Sequence, residues 1–132
     1  MRVTRSEREG VAILRLAGEF DSFETEEVRR SFEECLKEGR RRVVLDLADL
    51  VFANSTTIAY FISAHKRARE AGGGVILAQP GEFLRKTLKT LGLDQVLMLR
   101  DTVDAAVKEA VGWRAAEGTP PSRQSKSPRP NS

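Results

Sequence analysis

The chain has 132 residues, 40% of them hydrophobic and 31% charged, which is enough apolar mass for one buried core and too little for two. No apolar run approaches the roughly 20 residues that cross a bilayer, and MRVTRSEREG lacks the basic-then-apolar order of an export signal, so a soluble cytoplasmic protein without membrane insertion is expected. The net charge of +3 resides wholly beyond Trp113, where Arg114, Arg123, Lys126 and Arg129 face a single acid, Glu117; the body is neutral, which argues against direct nucleic-acid binding.

In chain order, Val3 and Thr4 suit an edge strand, and VAILRL (11–16) alternates and then runs apolar, as a strand with one well-buried face does. Gly18 ends it. Asp21 followed by Glu24 is a helix-start signal, and Val28, Phe32, Cys35 and Leu36 then recur at helical spacing until Gly39. The basic run Arg40 to Arg42 reads as a solvated turn that complements the helix C-terminus. VVLDL (43–47) is apolar and β-branched at its start, which predicts a central strand covered on both faces. After Asn54-Ser55-Thr56-Thr57, a helical stripe of Ile58, Phe61, Ile62, His65 and Ala68 leads to Gly72-Gly73-Gly74 and the strand VILA (75–78). Pro80-Gly81 opens a further helix with Leu84, Leu88 and Leu91 inward, Gly92 ends it, VLML (96–99) is the last strand, and Val103, Ala106, Val107 and Ala110 line the last helix.

The predicted order is ββαβαβαβα. Right-handed crossovers then make the strands near 43, 75 and 96 parallel, with helices packed over the sheet. Residues 1–113 form one domain, and the Pro/Ser-rich basic stretch 114–132 is expected to be a disordered tail, since it cannot bury enough apolar surface to offset its ordering entropy.

The polar quartet is where chemistry can sit. In open parallel sheets the exposed rim lies at the carboxyl ends of the strands, where helix N-termini present free N–H groups. Asn, Ser and Thr are also the preferred N-cap residues, so the quartet is either a cap or a cap with a modifiable hydroxyl. A phosphoryl group on Ser55 would add about −1.5 to −2 charge to a neutral surface, at a helix end that stabilises anions.

Other constellations are weaker. His65 lies on an apolar stripe and reads as a core histidine, which leaves a serine hydrolase built on Ser55 without a base. Cys35 reads as core filling, and a single cysteine excludes an internal disulfide. Asp46 and Asp49 have no His, Cys or carboxylate cluster around them in the sequence and read as structural, so no metal site is expected. The glycine run follows a helix rather than a strand and is a turn, not a dinucleotide signature. Asn54-Ser55-Thr56 also fits the glycosylation sequon, without an export signal to give it meaning.

Taken in order, LRLAGEFD (14–21), VVLDLADL (43–50), the polar quartet with its helix, the glycine turn with VILA, and LGLDQVLMLRDTVDAAV (91–107) resemble the STAS domain of bacterial anti-sigma factor antagonists across residues 3–111. The resemblance implies an α/β fold with a mixed sheet of four to five strands, mostly parallel in its C-terminal part, and about four packed helices. It also implies a regulator rather than an enzyme, with no cofactor of its own. In that family an Asp-Ser-[Ser/Thr]-Gly motif opens a helix, and its first serine is phosphorylated by a kinase that is itself the anti-sigma factor; the unphosphorylated antagonist holds that kinase, and phosphorylation releases it. Ser55 matches the acceptor, with Thr56 and Thr57 as the other candidate hydroxyls, while Asn54 and Thr57 stand where the family has Asp and Gly. The resemblance further implies partner contacts through Asn54, Ser55, Thr56, Thr57, Ala59, Tyr60 and Ser63, a phosphatase as second partner, and a monomer or weak dimer. The alternative is a cytoplasmic STAS subunit of a lipid or small-molecule transport complex, not regulated by phosphorylation.

Overall fold

The computed structural model describes residues 2–19 and 25–115. Strands β1 (Arg2–Arg8) and β2 (Val11–Glu19) form an antiparallel hairpin with Arg8 opposite Val11. Its two-residue turn places Glu9 (φ 54°) and Gly10 (φ 82°) in the left-handed region, the geometry that matches the twist of the flanking strands. Helix α1 spans Thr25–Lys37, β3 Arg42–Asp46, β4 Leu50–Phe52, α2 Ser55–Glu70, β5 Gly74–Ala78, α3 Glu82–Thr90, β6 Met98–Arg100 and α4 Val103–Ala115. The expected helix-start pair Asp21 and Glu24 lies outside the described residues, as does the tail from 116 onward. Helix α4 continues two residues past the expected boundary at Trp113.

The sheet order is β1-β2-β3-β5-β6, with the β2–β3, β3–β5 and β5–β6 pairs all parallel. The fold is therefore the anticipated mixed α/β sheet, parallel after β2, with four helices. Strand β3 is central and buried, because its side chains alternate between two cores. Leu14, Leu16, Val43, Leu45, Val75 and Leu77 face the core that includes Val28, Phe32 and Cys35 of α1, Phe61 and Ala68 of α2, and Leu84 and Leu88 of α3. Val11, Ile13, Val44 and Ile76 face the opposite core, closed by Ala106, Val107, Ala110 and Trp113 of α4. Period-2 alternation sorts the strands between the two layers.

Four local expectations change. β4 is an additional strand: after β3, Asp46 Oδ1 accepts from Ala48 N–H (3.1 Å), Gly18 N–H donates to Asp49 O (3.0 Å), and the chain rejoins β2 beyond a register shift at Gly18/Glu19. The last strand is displaced from 96–99 to 98–100, because Gly92 (φ 74°) starts a short 3-10 turn over Leu93–Gln95 that runs into Val96. Leu91 is 59% exposed rather than inward, since it caps α3 one turn beyond Leu88. The basic run is more than a solvated turn: Arg40 Nε lies 3.1 Å from Glu7, and Arg42 opens β3.

β4 has a positional consequence. It carries the chain to the carboxyl-end rim of the sheet and delivers Asn54 to the start of α2.

Candidate functional site

Helix α2 begins with a closed pair of reciprocal bonds. Asn54 Oδ1 accepts from Thr57 N–H (3.1 Å), and Thr57 Oγ1 accepts from Asn54 N–H (3.1 Å), with 3.2 Å between the two side-chain oxygens. This is a capping box in which threonine takes the role usually played by Glu or Gln. Ile58 N–H donates to Asn54 O (3.0 Å) and starts the helical ladder. The capping duty thus belongs to Asn54 and Thr57. The side chains of Ser55 and Thr56 make no hydrogen bond to another described residue, and both residues are exposed.

The first turn of α2 contains no acidic residue, so no carboxylate of the helix's own first turn offsets the partial positive charge of that end, while Arg67 and Arg69 complement the other end. Ser55 therefore presents a hydroxyl with no partner among the described residues at the N-terminus of α2. That terminus also borders apolar surface. Ala53, Asn54, Ser55 and Ile58 form one wall of a groove of about 270 Å³, and Phe83, Leu84, Thr87 and Leu91 of the α3 region form the other. Phe83 is 77% exposed and Val51 76% exposed, and a second groove, between β4 and α3, joins them.

Six of the seven expected contact residues keep some exposure, Thr57 being buried, and two of them line the groove. Ser55 and Thr56 are exposed and Asn54 partly so; Ser55 and Asn54 line the groove. Ala59 and Ser63 are exposed on α2 but do not line that groove. Tyr60 packs partly against the main core, where burial pushes its phenol well above the usual range. Thr57 corrects the expectation: at 0% exposure it is neither a surface contact nor an accessible acceptor, because its hydroxyl closes the cap.

The remaining candidates are structural. His65 is buried, its Nδ1 accepts from Val75 N–H (3.1 Å), and burial together with nearby Arg69 lowers its pKa. Cys35 is fully buried, and burial pushes its thiol up. Asp49 pairs with Arg15, whose Nε lies 2.8 Å away. Among the described residues no group of three or more His, Cys, Asp or Glu side chains could hold a metal, and no helix is long and apolar enough to cross a membrane. Sequence reasoning missed Val51 and Phe83. The available signal was Phe83 itself, an aromatic one position off the Leu84–Leu88 stripe.

This architecture is matched by a family model, that of the STAS domain, over residues 2–106. The chain belongs to the STAS domain family. Among its curated relatives is the anti-sigma F factor antagonist of Paenibacillus polymyxa, 24% identical over 110 residues that cover 83% of this chain and 94% of that one. Two solved structures share the STAS fold closely. An anti-sigma factor antagonist from Mycobacterium paratuberculosis superposes with a TM-score of 0.74 at 19% identity, covering 83% of this chain and 93% of that chain. The Bacillus cell fate determinant SpoIIAA, solved in its phosphorylated form, gives 0.65 at 20% identity, covering 81% and 97%.

Proposed function

We propose that this STAS domain is an anti-sigma factor antagonist that works by partner switching at Ser55. The observation that carries the reading is the division of labour at the start of α2: Asn54 and Thr57 complete the cap between them, and Ser55 is left exposed and unengaged beside an apolar groove. A relative named as an anti-sigma F factor antagonist, aligned over most of its length, supports the same role.

In this reading the unphosphorylated rim binds an anti-sigma factor that is also a serine kinase, and so frees the sigma factor. Transfer of the γ-phosphoryl group of ATP to Ser55 Oγ places a dianion at the helix terminus. The N–H groups of the first turn stabilise it without moving the fold, and a partner that covers it must desolvate it. Release follows. A phosphatase resets the site. Kinase, ATP and Mg²⁺ belong to the partner, and this chain supplies no catalysis. Asn54 keeps the capping oxygen that the family's Asp would provide, and Thr57 adds the reciprocal bond that Gly could not. Both departures are thus compatible with an acceptor serine between them.

The test is to incubate the chain with purified serine-kinase anti-sigma factors of its source genome and ATP, then map phosphate by mass spectrometry. Phosphate on Ser55, absent from Ser55→Ala, is the expected result, with Ser55→Asp binding the kinase at least about tenfold more weakly, as an uncompensated interfacial charge should. A parent that is never phosphorylated and binds a membrane permease with its ATPase instead would replace this reading with a transport role.

A further inference from the structure

Towards the end of α2 that lies away from Ser55, one face of the helix lines an opening of a different kind. Ile62, His65, Lys66, Arg69 and Glu70, which recur at helical spacing, form one wall of a groove of about 500 Å³, and Val96, 49% exposed ahead of β6, forms the other. The floor is built around one polar atom. His65 is only 5% exposed and its ring is held fast: Nδ1 accepts from Val75 N–H (3.1 Å), and Gly74 backs the ring so closely that a Cβ there would lie 3.4 Å from His65 Cε1. An imidazole that accepts through Nδ1 carries its proton on Nε2. That Nε2–H meets no acceptor among the described residues and is not sealed from solvent, so it stands as a fixed donor in the groove that His65 lines.

The surroundings define what this donor can take. A protonated Nε2 offers no lone pair and cannot ligate a metal ion. Lys66, which forms no ion pair with another described residue, stands on the rim, and Arg69 is near enough to act on His65 through its charge. Glu70 also lines the groove, so a doubly charged head group would meet repulsion there. Gly74, Val75, Val96 and Trp113, which approach from the other elements, bring no charge. We propose that this groove is a second binding site, for a small amphipathic carboxylate whose single charge accepts from His65 Nε2–H and faces Lys66, while its hydrocarbon body lies between Ile62 and Val96. The donor is preformed by packing, as small-molecule sites generally are. The segment after Ala115 has a single acid, Glu117, and no apolar side chain larger than alanine or proline, so it does not match the apolar walls. No residue is shared with the groove at Ser55, and the site stands or falls independently of partner switching.

The experiment titrates the full ¹⁵N-labelled chain with octanoate, octylamine and octanol in turn, and follows the ring nitrogens of His65 and the backbone amides by NMR. His65 is the single histidine, so its ring signals identify themselves. Octanoate should saturate at about millimolar concentration, as a probe of its size allows, moving Nε2 and the amides of Ile62, Lys66 and Val96 while the amide of Ser55 stays in place. The pKa of His65 should rise on binding, because a bound anion favours the imidazolium. His65→Asn keeps an acceptor for Val75 N–H but removes the donor, and Val96→Glu sets a like charge on an exposed wall; each should weaken octanoate by about tenfold or more. Val96→Glu decides alone if His65→Asn fails to fold, as a circular dichroism melt would show. Octanol or octylamine binding as tightly as octanoate, equal shifts around Phe83 from adsorption to apolar surface, variants within about twofold of the parent, or no saturation at all would each overturn the site.

Discussion

The two ends of helix α2 are built to opposite specifications. At its C-terminal end the chain turns through Gly72-Gly73-Gly74 into β5, and the packing leaves no room for change: a Cβ on Gly73 would lie 2.0 Å from the carbonyl oxygen of Arg41, and one on Gly74 would lie 3.0 Å from the Trp113 ring. At its N-terminal end, Asn54 and Thr57 satisfy the cap and the two residues between them face solvent. Stability and availability are thus kept at separate ends of one element. A hydroxyl spared from structural duty can be modified without unfolding the helix that displays it.

The sharpest way to break this contrast is Gly73→Ala. The clash is with backbone, not with a movable side chain tip, so destabilisation of about 3 kcal/mol or more is expected in urea denaturation. Next in size, Asn54→Ala and Thr57→Val each open the capping box, for which about 1–2 kcal/mol is expected per variant. A double-mutant cycle should show the two losses to be strongly non-additive, because either change breaks the same reciprocal pair.

A smaller effect comes from pH. His65 has its folded pKa lowered, chiefly by burial, so the unfolded chain binds a proton that the folded chain refuses. The contribution is complete above the unfolded value of about 6.5 and declines as pH falls through it, towards the folded pKa. Thermal melts should therefore lose stability below that pH, and His65→Asn, which retains an acceptor for Val75 N–H, should flatten the slope. Ser55→Ala should be the smallest of all, within about 0.5 kcal/mol of the parent, as befits an exposed residue whose side chain bonds to no other described residue. A Ser55→Ala loss as large as that of Asn54→Ala would mean that the serine belongs to the cap after all.

Much of this fold was legible because its central strands are short continuous apolar runs and its helices carry clear stripes. Val3 and Thr4 marked an edge strand, while the length of β1, its pairing with β2 and the Glu9-Gly10 turn show only in the structure. β4 was not legible: three residues are too few to show a period, and what makes them a strand is the far end of β2, a long-range partner. Leu91 sat on the inward stripe by spacing alone, yet the helix ends at Thr90 and the turn at Gly92 leaves it outward. At the site, composition identified the quartet but could not assign its members. Thr57 reads as one hydroxyl among three until its side chain is seen to close the box with Asn54, and Phe83 joins Ser55 only through tertiary packing.

Trp113, the single tryptophan, is 1% exposed where the end of α4 covers Gly74. Its indole emission therefore watches the locked end of the molecule and not the rim that carries Ser55. Unfolding will register as a shift in that emission, whereas a partner arriving at the other end of α2 leaves the fluorophore in the same surroundings. One optical signal can thus track the integrity of the scaffold while a separate label follows association.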